Sequence, residues 1–257
     1  MASYFKHVAA LACTSVLLLM LTASLVHGMS LPGVHSSYDA QTERLPQTHQ
    51  ETLHTEPHVY TRPDTIDTSR DFLRSLAPRT PDGHVQVVVE IPAGTNAKWE
   101  VEKESGHLAW ERVEDSLRVV QYLPYPGNYG MVPRTWLPAD QGGDDDPLDV
   151  ILLGPQVERG SVVEARIVGV IRMIDRGEQD DKLIAVDVNH WFGTIQTLDQ
   201  LHTDYPGVVS ILTTWFESYK GPDVAVVQGV DDEEDARTTL NRAIQAYEER
   251  YEAGDME

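Results

Sequence analysis

Cysteine is almost absent: the 257-residue chain has one, Cys13. A single thiol excludes an intrachain disulfide framework and any cysteine-based zinc or iron–sulfur site. Basic residues are also scarce, 20 Lys and Arg against 41 Asp and Glu, for a formal net charge of −21. Binding DNA or RNA needs clustered cations to neutralise phosphates, so no nucleic-acid partner is expected. There is no internal repeat and no glycine pattern of the dinucleotide or P-loop kind. A long apolar run occurs once, at residues 8–26. Composition leaves three readings: an acidic surface of halophile type, a cation-binding protein, or an enzyme that holds an anionic substrate through metals.

Residues 1–28 contain no acid and one lysine, Lys6, ahead of the Leu- and Ala-rich run. With small residues around Val26-His27-Gly28, this pattern predicts a cleavable secretory signal peptide. An uncleaved membrane anchor is the alternative, since about 19 mostly apolar residues nearly span a bilayer. Cleavage would leave no cysteine, which suits an oxidising compartment. The expected location is periplasmic or secreted, without stable membrane association once the leader is removed. Residues 29–80 are rich in Thr, His, Pro, Gln and Ser. They are expected to form a polar extension or linker, with a short helix near 68–76.

Residues 81–257 read as one mainly β domain of the α+β class. Strands are expected at 84–91, 98–103, 108–112, 149–153, 161–173 and 182–188, with a hairpin turn at 104–107. Short strands at this spacing point to a barrel or sandwich. Two helices follow. Residues 208–220 carry an apolar stripe of period 3.6, and 233–251 follow the acidic run 231–235, which suits the positive end of a helix dipole.

Two acid clusters carry the chemistry. The first is Asp144-Asp145-Asp146-Pro147-Leu148-Asp149-Val150, leading into an apolar strand. The second runs from Asp175 to Asp180, Asp181 and Lys182, again at strand ends. Packed carboxylates repel one another and their pKa values rise. Hard divalent cations relieve that repulsion through oxygen ligands. The spacing does not fit an EF-hand. Isolated cations (Lys98, Arg112, Lys182, Lys220) stand among these acids. Acids for metals with a few cations for an oxyanion is a composition suited to phosphoryl transfer.

In this order and spacing the motifs resemble the family I soluble inorganic pyrophosphatases. They are Glu90-Ile91-Pro92, Lys98-Trp99-Glu100, Lys103-Glu104-Ser105-Gly106, Arg112, Tyr125-Pro126-Gly127-Asn128-Tyr129-Gly130, the two acid clusters, and Phe216-Glu217-Ser218-Tyr219-Lys220. The resemblance covers about residues 82–250. It implies an OB-like five-stranded closed β-barrel with two flanking α-helices, hydrolysing inorganic pyrophosphate to two phosphates. It implies several Mg²⁺ ions, with Mn²⁺ or another divalent cation as substitutes, and a homo-oligomer. Asp144, Asp149, Asp175, Asp180 and Glu90 would hold metal, and Asp146 would take the proton of the attacking water. Lys98, Glu100, Arg112, Lys182, Tyr219 and Lys220 would surround the phosphates. Tyr125 and Tyr129 would line the site, with Tyr129 close to the metals. Three departures stand out: Asp145 where glycine is common, Arg176 where Glu is frequent, and no basic residue soon after Lys220. A non-catalytic homologue binding cations or phosphate is the alternative reading.

Overall fold

The computed structural model describes residues 65–66 and 70–251. The expected signal peptide and most of the polar extension lie outside the described residues.

Among the described residues, eight strands of three or more residues and three α-helices form in chain order. They are β1 (Val85–Ile91), β2 (Trp99–Val101), β3 (Leu108–Trp110), β4 (Asn128–Met131), β5 (Asp149–Leu153), β6 (Val162–Asp175), β7 (Lys182–Asp187), α1 (Leu198–Asp204), α2 (Val208–Ser218), β8 (Ala225–Asp231) and α3 (Glu233–Tyr251). Pairing runs β1–β4–β5–β7–β6 and returns from β6 to β1. The ring of five strands is therefore closed, as the OB-like expectation required. Closure depends on the 14 residues of β6. Its first residues pair with β1, its middle with β7 and its last with β8.

The β5–β7 pair is parallel and the other four ring pairs are antiparallel. Both strands of the parallel pair are covered on two faces, which is why they read as continuous apolar runs. Val150 and Leu152 of β5 and Leu183 and Ala185 of β7 face a cluster that includes Ala236, Leu240 and Ala243 of α3. Their neighbours Ile151, Leu153, Ile184 and Val186 face a second cluster with Leu198, Leu212, Trp215 and Phe216 from α1 and α2. Each fully buried residue of this kind contributes about 1.5–3 kcal/mol.

Three expectations need correcting. Residues 70–76 form turns rather than a helix. The folded unit also begins before residue 81. Phe72 and Leu73 are buried in a third cluster with Trp99, Leu108 and Trp136, and Thr65–Ile66 pairs antiparallel with β3. Two apolar residues amid polar ones gave too weak a periodic signal to mark this arm. A third helix, α1, joins the two expected; at seven residues it is barely two turns, capped by the Thr197 hydroxyl accepting from Gln200 N. The acidic run divides its work. Asp232 caps α3 by accepting from Glu234 N and Asp235 N, at 2.9 and 3.1 Å, whereas Asp231 ends β8 and pairs with Arg172.

Candidate functional site

The acids meet at one rim because of strand register. Asp149 and Lys182 open the parallel strands β5 and β7 and are directly paired. Asp180 lies two residues before Lys182, and Asp175 ends β6, the antiparallel neighbour of β7. Glu90 reaches the same space through a bulge. Val89 pairs with Gly130 and Ile91 with Tyr129, leaving Glu90 as the extra residue whose direction is reset. Gly130 permits that close pairing, since a Cβ there would sit 1.9 Å from the Val88 carbonyl oxygen. The two acid loops are tied together where Gln179 N donates to Gly142 O at 2.9 Å.

Asp145 has φ 60° and Arg176 φ 51°, so each acid loop turns through a left-handed residue. Glycine would adopt that conformation without strain, and Asp adopts it more readily than most residues. Asp145 Oδ1 offsets part of the cost by accepting from Ala139 N at 3.0 Å. These two departures thus fall on backbone corners, beside the carboxylates expected to hold metal and not on them.

Lys182 is 2% exposed and donates from Nζ to Asp149 Oδ2 and Asp180 Oδ1. Lys220, just past α2, donates to Asp175 Oδ2. Lys98 lies 3.5 Å from Glu100 Oε2. Tyr129 stands between the cations, its ring centre 5.7 Å from Lys98 Nζ and 5.9 Å from Lys182 Nζ. Tyr125 packs 5.1 Å from Tyr129 and 4.4 Å from Trp215, and Tyr219 stacks on Trp215 at 4.5 Å. The end of α2 therefore supplies an aromatic wall as well as a cation.

Electrostatics follow from this crowding. Burial pushes Glu90 up to about 8 against the pull of Lys98, while its Oε1 accepts from Val101 N at 2.7 Å. Burial and the Asp149 and Asp180 charges push Asp144 up to about 8. Asp149 is also raised, chiefly by burial. Burial would raise Asp180 too, but the Lys182 ammonium, with Lys220 and an Asp144 hydrogen bond, holds it low. Burial disfavours the Lys182 charge, yet Asp149 and Asp180 outweigh that and raise its pKa well above the ordinary value.

The donor set fits a hard divalent cation. The acidic groups at the rim offer only oxygen, the carboxylates repel one another, and Asp175 Oδ1 is buried with no hydrogen-bond partner. Lysine ammoniums supply the counter-charge in this arrangement. Among the described residues no three His, Cys, Asp or Glu side chains converge in ligating geometry. Lys182 takes the position between Asp149 and Asp180 that such a group would need.

One of the residues named from sequence, Arg112, stands away from the buried cations. Arg112 lies exposed on a two-residue strand, with Nη1 directed at Asp115 O at 3.5 Å. Arg118, which the sequence reading passed over, is the arginine near the aromatic wall: burial lowers its pKa, but a hydrogen bond to Glu111 outweighs this, and Tyr219 and Tyr125 act on it too. Its backbone carbonyl accepts from Trp110 Nε1 at 2.8 Å. It lies six positions beyond Arg112, and nothing in the sequence marked it over that residue. Asp146 is half-exposed and paired with Lys103 at 2.6 Å.

A family model described as inorganic pyrophosphatase matches residues 87–248. The inorganic pyrophosphatase of Kluyveromyces lactis is 35% identical over 157 residues, covering 55% of this chain and 55% of the relative. That of Helicobacter pylori is 36% identical over 166 residues, 63% of this chain and 90% of the relative. The crystal structure of type I inorganic pyrophosphatase from P. falciparum has a TM-score of 0.65 at 26% identity, over 70% of this chain and 63% of that one. This chain spans about half the length of the fungal relatives it matches. The family model covers well over half of the sequence, and the chain belongs to the inorganic pyrophosphatase family.

Proposed function

We propose that the protein hydrolyses inorganic pyrophosphate to two phosphates, with Mg²⁺ as the divalent cation and Mn²⁺ as a substitute. The observation that carries this reading is the meeting of Asp144, Asp149, Asp175 and Asp180 with Lys182 and Lys220 at one barrel rim. Asp144, Asp149, Asp175, Asp180 and Glu90 are the cation-holding groups. Bound divalent cations supply charge neutralisation for the substrate and acidify water.

The chain's own residues divide the remaining work. Asp146 stays half-exposed beside the acid cluster, able to accept the proton released as water attacks phosphorus. Lys98, Lys182 and Lys220 carry ammoniums that can exchange carboxylate partners for phosphate oxygens. Charge that grows on the leaving phosphate meets these fixed cations, with Arg118 as the arginine nearest the aromatic wall. Tyr125 and Tyr129 are buried and wall the site; burial drives both phenols well above their ordinary pKa, so they stay protonated donors. Glu100 is half-buried beside Lys98 and steers it.

Phosphate release from pyrophosphate, with Mg²⁺ and with EDTA, tests the reading on wild type, Asp149→Asn and Asp146→Asn. Asp149→Asn should lose cation affinity and rate together, because a rim carboxylate is gone. Asp146→Asn should keep cation affinity and lose rate. Folded wild-type protein that releases no phosphate above buffer with Mg²⁺ would reject the proposal in favour of a non-catalytic cation-binding homologue.

Residues 1–28 support export to the periplasm or medium, with an uncleaved anchor as the alternative. N-terminal sequencing of the mature protein decides between them. A homo-oligomer is also proposed, and light scattering of the purified protein measures it.

A further inference from the structure

We propose that Lys103 is a positioning residue that fixes the carboxylate of Asp146 for its part in the reaction. The inference rests on the proposed hydrolytic function. Lys103 lies in the turn between β2 and β3, outside both acid loops, yet its ammonium reaches the first of them twice. Nζ pairs with Asp146 Oδ1 at 2.6 Å and donates to the Asp145 carbonyl oxygen at 2.9 Å. Asp145 is the left-handed residue of the loop, so the peptide that aims Asp146 is held from the Lys103 side.

Lys103 is itself held. Its ammonium sits 5.8 Å from the ring centre of Trp136, which is buried, and Arg250 covers the same indole at 4.0 Å. Its backbone carbonyl accepts from Arg74 Nη2. The turn is closed where Glu102 N donates to His107 O at 2.9 Å and Gly106 N to Glu102 O at 2.8 Å. The preceding strand β2 follows Lys98 and includes Glu100, so one hairpin carries the phosphate-side cation and the support for Asp146.

Both partners of the pair are close to half-exposed, at 43% and 49% of their side chains. An exposed ion pair adds little to stability. Its value here is angular. A carboxylate that must meet an attacking water loses rate steeply when displaced, with a 1 Å error costing about 10²-fold.

The test compares wild type, Lys103→Met and Lys103→Arg in Mg²⁺ and pyrophosphate, measuring kcat, KM, Mg²⁺ affinity and Tm on one set of preparations. Lys103→Met keeps the stem and loses the charge. Its kcat should fall about 10–100-fold. KM and Mg²⁺ affinity should stay within about threefold, and Tm within a few degrees. Lys103→Arg, which retains donors for both acceptors, should recover most of the lost kcat. A Met variant with wild-type kcat overturns the inference. So does one that fails to fold or melts early, since Lys103 would then be structural, and so does an Arg variant no better than Met. An inactive wild type rejects the hydrolytic reading itself, which separates the two failures.

Discussion

Glu90 and Asp144 sit at about 8 where free carboxyls titrate near 4.5 and 3.8. A raised carboxyl binds its proton more tightly in the fold than in the unfolded chain, so stability falls as pH climbs between the two values. Asp180 runs the other way: held low, it gives stability that is lost only as pH drops below its ordinary value of 3.8. Lys182, held high, contributes until pH rises past its ordinary 10.5. Between about pH 4.5 and 8 the raised carboxyls therefore set the slope. In EDTA the Tm should fall from about pH 5.5 to about pH 8.5, and Mg²⁺ at the higher pH should restore it, because a cation replaces the missing protons. A Tm that is flat in EDTA and indifferent to Mg²⁺ would contradict this electrostatic account. Most of these residues were legible as types in a pattern, since closely spaced carboxylates announce their own repulsion. Arg118 was not. Choosing between it and Arg112 requires knowing that residues 112–117 fold back as a small hairpin, and nothing in their composition says so.

At the scale of elements, long apolar runs declared themselves. Residues 149–153 and 182–188 were expected as strands, and Asp149–Leu153 and Lys182–Asp187 formed, because parallel strands buried on both faces are apolar throughout their interior positions. Asn128–Met131 did not read as a strand, since Pro126, Gly127 and Gly130 are turn residues everywhere except at a close backbone crossing. The arm before residue 81 was missed for a different reason: its fold is written in contacts far along the chain. Phe72 N donates to Gly106 O at 2.8 Å and Arg134 N to Leu73 O at 3.0 Å. Asp71 accepts from Leu73 N and Arg74 N, at 3.0 and 2.8 Å, and holds the turn. This arm backs the hairpin that carries Lys103. Phe72→Ala should cost about 3–5 kcal/mol in urea unfolding. A loss below about 1 kcal/mol would show that the arm is not part of the core.

For the whole molecule, the net charge of −21 now has a partial address. Glu90, Asp144, Asp146, Asp149, Asp175 and Asp180 gather at the barrel rim, against three buried or half-buried lysines. Asp232 caps α3, and Asp181 and Asp231 clamp Arg172 where β6 meets α3. A closed barrel suits this load. It fixes the strand ends from which the acids project, so their mutual repulsion cannot spread them apart without breaking the ring. No described helix is long and apolar enough to cross a membrane. The family membership, the closed ring and the rim of acids and lysines all meet in one claim, the hydrolysis of pyrophosphate. Phosphorus-31 NMR of pyrophosphate with Mg²⁺ and the purified protein measures it most directly. Each pyrophosphate lost should yield two phosphates, and EDTA should stop the conversion. A pyrophosphate signal unchanged in the presence of folded protein and Mg²⁺ would contradict it.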